Sequence, residues 1–496
     1  EKLDIVTFHC LRGSQLARQV GCDWMESSPM LVVAPMVNQS DAPFRTLCYN
    51  HGATCCYTEM LYSEKIVNEK DYLSTFFPEC DATFISNSVK ENLMIMATTT
   101  AHSHYSEKHL VVQICGNKPC TLAEAVTIIA TQRHCHAIDF NLGCPQERAR
   151  TGMFGSYLLD RTHWPLVFEC VSAMVTALQP FHIPLYCKIR LIDDSAGILP
   201  TTKEFCSGLC EQGVQLVCIH GRTRGSVKRR RCGPADLMAV NEIAQYIHDS
   251  FPASSIRVLS NGNIYDTRDA MDCLNCSRLH CWGVMSAEGV LRNPAIFERL
   301  QVTPDIVCEG RSRVDASGGY DDSNDVYLTS SNDTSSEIAE KAMEKGHKSL
   351  ISFNEEGSQA DLLSLFVEYC MLSEAYREAG GWALQDAYDA TKKGVNGGNG
   401  AGRQVDVARQ HLSWMLGKSG HGRLVRYKYG LVNGGGGSCL TKDGYEKHVH
   451  ILRDLNEATC IEDLLIIARK CLVEAFPGVR EIDHPSNEIQ NQNKSI

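Results

Sequence analysis

IDFNLGCPQERARTGMFGSYLL, residues 138–159, opens with an apolar run and closes with another. Between them stand Asn141, Gly143, Cys144, Pro145 and Gln146. Proline has no N–H to give to a sheet ladder, and glycine permits the tight turn that follows a strand. The stretch therefore reads as a strand, a rigid turn carrying a thiol, and the start of a helical segment.

The same alternation extends outward in both directions. β-rich runs stand at Leu31–Ala34, Cys55–Thr58, Leu110–Ile114, Ala137–Asn141, Pro184–Ile189, Gln215–His220, Ile256–Ser260 and Cys281–Met285. Most are apolar throughout, as parallel strands covered on both faces must be. Segments such as Leu122–Thr131 and Trp164–Leu178 show helical spacing between them. Eight such units in residues 30–300 predict an α/β fold, a (β/α)8 TIM barrel. A doubly wound sheet is the runner-up, but it needs fewer units and would show a Gly-x-Gly-x-x-Gly turn, which is absent.

Around the barrel, residues 1–29 read as an N-terminal extension and residues 301–348 as an acidic, low-complexity insertion. Residues 349–479 read as a smaller all-α domain with Gly-rich loops, and 480–496 as a polar tail. The chain of 496 residues is 22% charged and 43% apolar, ordinary for a globular protein, and no run of eighteen apolar residues suggests a membrane span. No basic flank followed by an apolar stretch marks a secretory signal at the N-terminus, which also lacks a Met. The 24 cysteines are scattered, several inside apolar runs, so they read as reduced thiols and the expected location is cytoplasmic, with the nucleus as the alternative. Cys273 and Cys276 form a single Cys-x-x-Cys with no second pair, so no metal is expected.

The net charge of −11 is unevenly distributed. Residues 403–430 hold Arg403, Arg409, Lys418, Arg423, Arg426 and Lys428 against Asp406 alone, and Lys228–Arg231 is a basic run directly after the sixth strand. A local basic surface can bind phosphate whatever the overall sum.

Polar groups cluster just past the apolar runs: Pro35 and Met36, Glu59, Gln113, Asn141 and Cys144, Lys188 and Arg190, His220 and Arg222, Asn261 with Gly262 and Asn263. In a (β/α)8 barrel all these ends converge on one face, where such enzymes keep their chemistry. The set suits a phosphorylated planar ring: Gln113 and Asn261 for its polar edges, Lys188 for negative charge, Ala34-Pro35-Met36 for packing, and backbone N–H groups for a phosphate. Flavin mononucleotide fits, and another phosphorylated ring would fit as well.

The motifs LVVAPMVNQSDAPFR, CYTEM, VVQICGN, DFNLGCPQERARTGMFGSYLL, YCKIR, CIHGRTRG, LSNGNI and GVMSAEGVLRNPAIF occur in order over residues 30–300. In this the chain resembles the tRNA-dihydrouridine synthases, nearest the eukaryotic branch acting on D-loop uridines 16/17. The resemblance implies FMN as cofactor, NADPH (or NADH) as reductant and tRNA as partner. It implies that hydride from reduced FMN adds to C6 of a flipped-out uridine while Cys144 protonates C5. A thiol, with a free pKa of about 8.5, is mostly protonated at neutral pH and is a sensible donor. Asn141 would fix the uracil edge, and Lys188 and His220 would line flavin and base. Gln113, Lys188, His220, Asn261, Gly262 and Asn263 match the family's FMN contacts, with Pro35, Met36 and Val37 giving the ring-side backbone. Ala287 and Glu288 stand where many members have Gly-Arg, so phosphate contact there would be through backbone N–H, with the Glu288 carboxylate pointing away. Arg190 and Arg222 would meet flavin or RNA phosphate, with salt bridges as the alternative, and Lys228, Arg229, Arg230 and Arg231 would meet RNA at the pocket mouth, as would Arg403, Arg409, Arg423 and Arg426 from the helical domain. A monomer without a stable protein partner or membrane contact is expected. The alternatives are an FMN barrel acting on a free pyrimidine or small enone, and a non-catalytic RNA-binding protein on the same scaffold.

Overall fold

The structure is a computed structural model. It describes residues 29–69, 72–73, 76, 109–132, 135–225, 234–252, 256–277, 280–298, 300–302, 351–353, 362–378, 382, 402–416, 450–451 and 453–474. The expected N-terminal extension, the acidic segment but for its first residues, and the polar tail lie outside these residues.

Eight strands close into a parallel barrel: β1 (Met30–Val33), β2 (Cys55–Tyr57), β4 (His109–Cys115), β5 (Ala137–Leu142), β6 (Leu185–Leu191), β7 (Leu216–Thr223), β8 (Arg257–Asn261) and β9 (Gly283–Ser286). A two-residue strand, β3 (Leu61–Tyr62), pairs with the upper part of β4. The expected TIM barrel is therefore observed, with each strand within a few residues of its sequence-read position. Helices fill the crossovers: α1 (Ala42–Asn50), α2 (Ser63–Asn68), α3 (Pro119–Gln132), α4 (Glu147–Thr151), α5 (Trp164–Leu178), α6 (Ile198–Glu211), α7 (Leu237–Ser250), α8 (Thr267–Ser277) and α9 (Glu288–Arg292). Where sequence supplies a cap the helix starts on it. Asp41 accepts from Phe44 N–H at the start of α1, and Asp236 from Ala239 N–H at the start of α7.

Strand alternation sorts the residues into two cores. Met30, Val32, Ala34, Tyr57, Val111, Ala137, Tyr186, Cys218, Leu259 and Met285 fill the barrel interior. Val112, Ile138, Phe140, Cys187, Ile189, Val217 and Ile219 face outward against the helices. Such runs read as apolar throughout because both faces are covered. One seam depends on a missing side chain: a Cβ on Gly283 would stand 2.2 Å from the Met30 carbonyl oxygen and 2.7 Å from its nitrogen. Both belong to the ladder that joins β1 to β9. Gly283→Ala is therefore expected to part the barrel here and cost about 1–3 kcal/mol, the usual size of core overpacking. Chemical denaturation would read this, and an unchanged midpoint would contradict it.

Beyond the barrel, β10 (Leu300–Val302) pairs antiparallel with β11 (Ile351–Phe353), so the chain ends flanking the acidic segment meet on one ladder. Residues 351–353 are thus strand where the helical domain was expected to begin, their backbone groups taken up by pairing with β10. The described residues fall into two compact units. One holds the barrel, the hairpin and the half of α10 (Leu362–Glu378) from Leu372 onward; the other holds α10 up to Met371, α11 (Gly402–Met415) and α12 (Ile461–Glu474). In the second unit Val405, Ala408, Leu412, Leu464 and Ala468 are buried. No helix among the described residues is long and apolar enough to cross a membrane.

Candidate active site

Alternation also decides what reaches the rim. Going up β5, Ala137, Asp139 and Asn141 share the inward face; going up β6, Tyr186, Lys188 and Arg190 do; and on β7, Cys218, His220 and Arg222. Register sets them side by side, Asn141 against Lys188, Arg190 against His220, and His220 against Asn261.

Cys144 sits on a turn held from every side. Asn141 Oδ1 accepts from the backbone N–H of Gly143 at 3.1 Å and of Cys144 at 2.9 Å. The Cys144 carbonyl accepts from both the N–H and the hydroxyl of Ser156, each at 3.0 Å. Arg190 donates through Nε to the Gly143 carbonyl at 2.8 Å. Gly155, with φ +64°, closes the return of the chain; a Cβ there would lie 2.7 Å from the Cys144 carbonyl oxygen. The side chain packs against a buried cluster of Met60, Cys115, Ala149 and Phe154, which Tyr62 and Tyr157 also flank. Burial raises the thiol pKa, opposed in turn by the Gln146 N–H, Arg148, Arg190 and Lys188, and the outcome is a thiol that keeps its proton. The cysteines whose side chains are described are free; among them only Cys120, Cys144 and Cys460 are not buried.

Lys188 donates to Asn261 Oδ1 at 2.9 Å, and Asn261 Nδ2 donates to the Met285 carbonyl at 2.8 Å. Burial pushes the Lys188 ammonium down from the usual lysine range. His220 is held well below the usual histidine range, first by burial and then by the cations of Arg190, Lys188 and Arg222. It is therefore a neutral imidazole, with Nε2 facing Arg222 Nη1 at 3.5 Å. Because the charged form is disfavoured only in the folded state, acidification below the ordinary value of 6.5 works against the fold at this residue. Histidine NMR is expected to show one resonance, absent in His220→Gln, that does not move between about pH 6 and 7.5. A midpoint near 6.5 for that resonance would contradict the assignment.

Several residues expected at the ligand carry hydrogen bonds within the protein. Asn141, expected at the uracil edge, spends Oδ1 on the Cys144 turn and donates Nδ2 to Gln113 Oε1 at 2.8 Å. Gln113, expected at the ring edge, is 1% exposed and donates Nε2 to Asp139 Oδ2 at 2.7 Å, so it lies beneath the rim. Asn263 clamps both backbone groups of Ala235 and accepts from Arg222 at 2.8 Å. Its neighbour Gly262, at φ +121°, lies so close to His220 and Ala235 that a Cβ there would collide with Ala235. Asn261 supports Lys188 rather than presenting a free amide, and Arg190 braces the turn.

Met36 and Ala287 pack on top of the barrel interior, and Val37 is 38% exposed beside them. Pro35 and Met36 lie between β1 and the Ser40 hydroxyl, which accepts from Met36 N–H at 2.8 Å. Glu288 is directed at Arg292, 3.4 Å away on the next turn of α9. In the helical unit Arg409, expected at the RNA, pairs with Asp406 and donates to the Ala458 carbonyl at 2.7 Å. Arg403 lies half-buried on the first turn of α11. Lys228, Arg229, Arg230, Arg231, Arg423 and Arg426 lie outside the described residues.

Three residues were not read as site residues. Asp139 and Tyr57 share the barrel interior just below the rim, both buried, and Arg224 donates to the Ser156 carbonyl at 2.8 Å and grips Asp160. The signal for Asp139 was present: a carboxylate inside a run otherwise apolar up to Asn141.

The fold and rim define a (β/α)8 barrel that displays one protonated thiol among strand-end cations. Residues 32–315 match the family model described as dihydrouridine synthase (Dus), and the chain belongs to that family. It is 34% identical over 267 residues to the tRNA-dihydrouridine(16/17) synthase [NAD(P)(+)]-like protein of Rattus norvegicus, covering 54% of this chain and 51% of that one. It is 30% identical over 287 residues to the tRNA-dihydrouridine(16/17) synthase [NAD(P)(+)] of Saccharomyces cerevisiae, covering 58% and 57%. The tRNA-dihydrouridine(20a/20b) synthase [NAD(P)+] of the same yeast is 28% identical over 280 residues. The chain spans about half the length of the 16/17 relatives it matches.

Proposed function

We propose that this chain reduces uridine to 5,6-dihydrouridine in tRNA, at the 16/17 positions named for its rat and yeast relatives, with FMN as cofactor and NADPH or NADH as reductant. The observation that carries the reading is the Cys144 turn: a protonated thiol fixed by backbone bonds on the rim that also carries Lys188, Arg190, Arg222 and a neutral His220.

The rim suits FMN by its own chemistry. Met36 and Ala287 give an apolar floor, and Lys188 and Arg222 give positive charge. Reduced FMN held by these groups would supply a hydride to C6 of the uracil ring. The chain's residues do the rest. Cys144 Sγ delivers its proton to C5. Lys188 and the neutral His220 orient the polar groups of ring and base. Phe154 and Tyr62 keep water from the thiol's inner side. A base inside folded RNA must be swung out to reach such a pocket, so phosphate grip at the mouth belongs to the same reading. The expected location is the cytoplasm or nucleus.

Purified protein should hold a flavin whose absorbance is bleached by NADPH. NADPH oxidation should rise on adding tRNA lacking dihydrouridine and stay flat on adding free uridine. Turnover with free uridine and none with tRNA would establish a small-molecule reductase instead.

A further inference from the structure

Asp139 lies inside the barrel, fully buried, two residues below Asn141 on the same face of β5. Its Oδ2 accepts from Gln113 Nε2 at 2.7 Å, Gln113 Oε1 accepts from Asn141 Nδ2 at 2.8 Å, and Asn141 Oδ1 accepts from the N–H groups of Gly143 and Cys144. This chain has a direction. A primary amide carries a donor end and an acceptor end, so the orientation of Gln113 fixes that of Asn141. A carboxylate can only accept, which keeps Gln113 Nε2 turned toward it. A protonated acid can donate instead. Gln113 could then reverse, Asn141 would follow, and an NH2 would face the two N–H groups it now caps.

We propose that Asp139 is a positioning residue: as an obligate acceptor it sets the direction of the Gln113–Asn141 relay and so holds Cys144 in place to deliver its proton. This rests on the function proposed above. The ionisable groups that face Asp139 are Lys188 and Tyr186 of β6, Tyr57 and Cys55 of β2, and Cys218 of β7, while Cys187 of β6 turns outward but lies within electrostatic reach. The second carboxyl oxygen, Oδ1, has no hydrogen-bond partner among the described residues. Burial raises this carboxyl to about 7, against the pull of Gln113 and then Lys188. The shift is upward from 3.8, so the carboxylate and the directed relay are present above about pH 7 and are lost as pH falls below it.

Asp139→Asn keeps the shape but can either accept or donate, so it leaves the relay undirected at every pH. Alkylation of Cys144 by iodoacetamide, followed by mass spectrometry of its peptide, is expected to accelerate about fivefold at pH 8, the size of one net hydrogen bond. In the wild type the same acceleration is expected on going from pH 8 to 6, after correction for thiolate content; in Asp139→Asn that pH step should vanish. Gln113→Met cuts the relay at its middle and should reproduce the pH 8 acceleration, which guards against a folding defect peculiar to residue 139. With tRNA, the loss should fall on kcat rather than KM, and the acid limb of the wild-type pH profile should be missing in Asp139→Asn. Unchanged Cys144 alkylation in both variants, with the wild-type pH step retained in Asp139→Asn, would overturn the proposal. The alkylation reading needs no substrate, so it decides this inference even if dihydrouridine formation fails, which would sink the functional reading separately.

Discussion

Replacing Cys144 by alanine is expected to lower dihydrouridine formation by about 10²- to 10⁴-fold, the usual contribution of a positioned acid, while leaving bound flavin and the folded state unchanged. The expectation follows from the way the thiol is held. Its backbone N–H donates to Asn141, its carbonyl accepts twice from Ser156, and neither contact involves Sγ. Alanine keeps all three and removes the thiol that carries the proton. Burial keeps the thiol protonated, so the residue is charged as an acid before substrate arrives. Cys144→Ser, whose hydroxyl is a far weaker acid, should fall with the alanine variant. Single-turnover measurement with pre-reduced protein and unmodified tRNA reads the effect, and a rate within threefold of wild type would remove Cys144 from the chemistry.

Gly155→Ala is expected to lower turnover by about 100-fold without touching any reacting group, the usual consequence of misplacing one by about 1 Å. At φ +64° any side chain is strained, by about 1–2 kcal/mol. The added methyl would also stand 2.7 Å from the Cys144 carbonyl oxygen and 2.9 Å from its Cβ. That oxygen cannot retreat without giving up both bonds from Ser156. The collision therefore moves the turn that carries the thiol. Thermal unfolding should drop by a few degrees with the barrel intact, so circular dichroism and turnover measured together separate displacement from unfolding. A variant with unchanged turnover would show that Cys144 does not depend on this contact.

The barrel was legible because parallel strands covered on both faces leave uninterrupted apolar runs. The rim was legible because the residues just past those runs are polar. What the sequence concealed is how those polar groups spend their hydrogen bonds. Gln113, Asn141, Asn261 and Asn263 read as free amides aimed at a ligand, yet each is engaged by a neighbour on another strand or turn. Such pairings depend on register between strands far apart in sequence, as with Asn141 against Lys188, and no local pattern encodes them. Asp139 was overlooked for the opposite reason: it sits two positions before Asn141, below the level where a ligand would be sought. Arg409 read as part of a basic surface because composition counts charge but cannot see the Ala458 carbonyl that it caps.

The most direct test of the whole account is mass spectrometry of tRNA incubated with the purified flavin-loaded protein and NADPH. The account predicts a gain of two hydrogens on a uridine at position 16 or 17, abolished by Cys144→Ala. Unmodified tRNA recovered unchanged from protein that binds flavin and oxidises NADPH would contradict it.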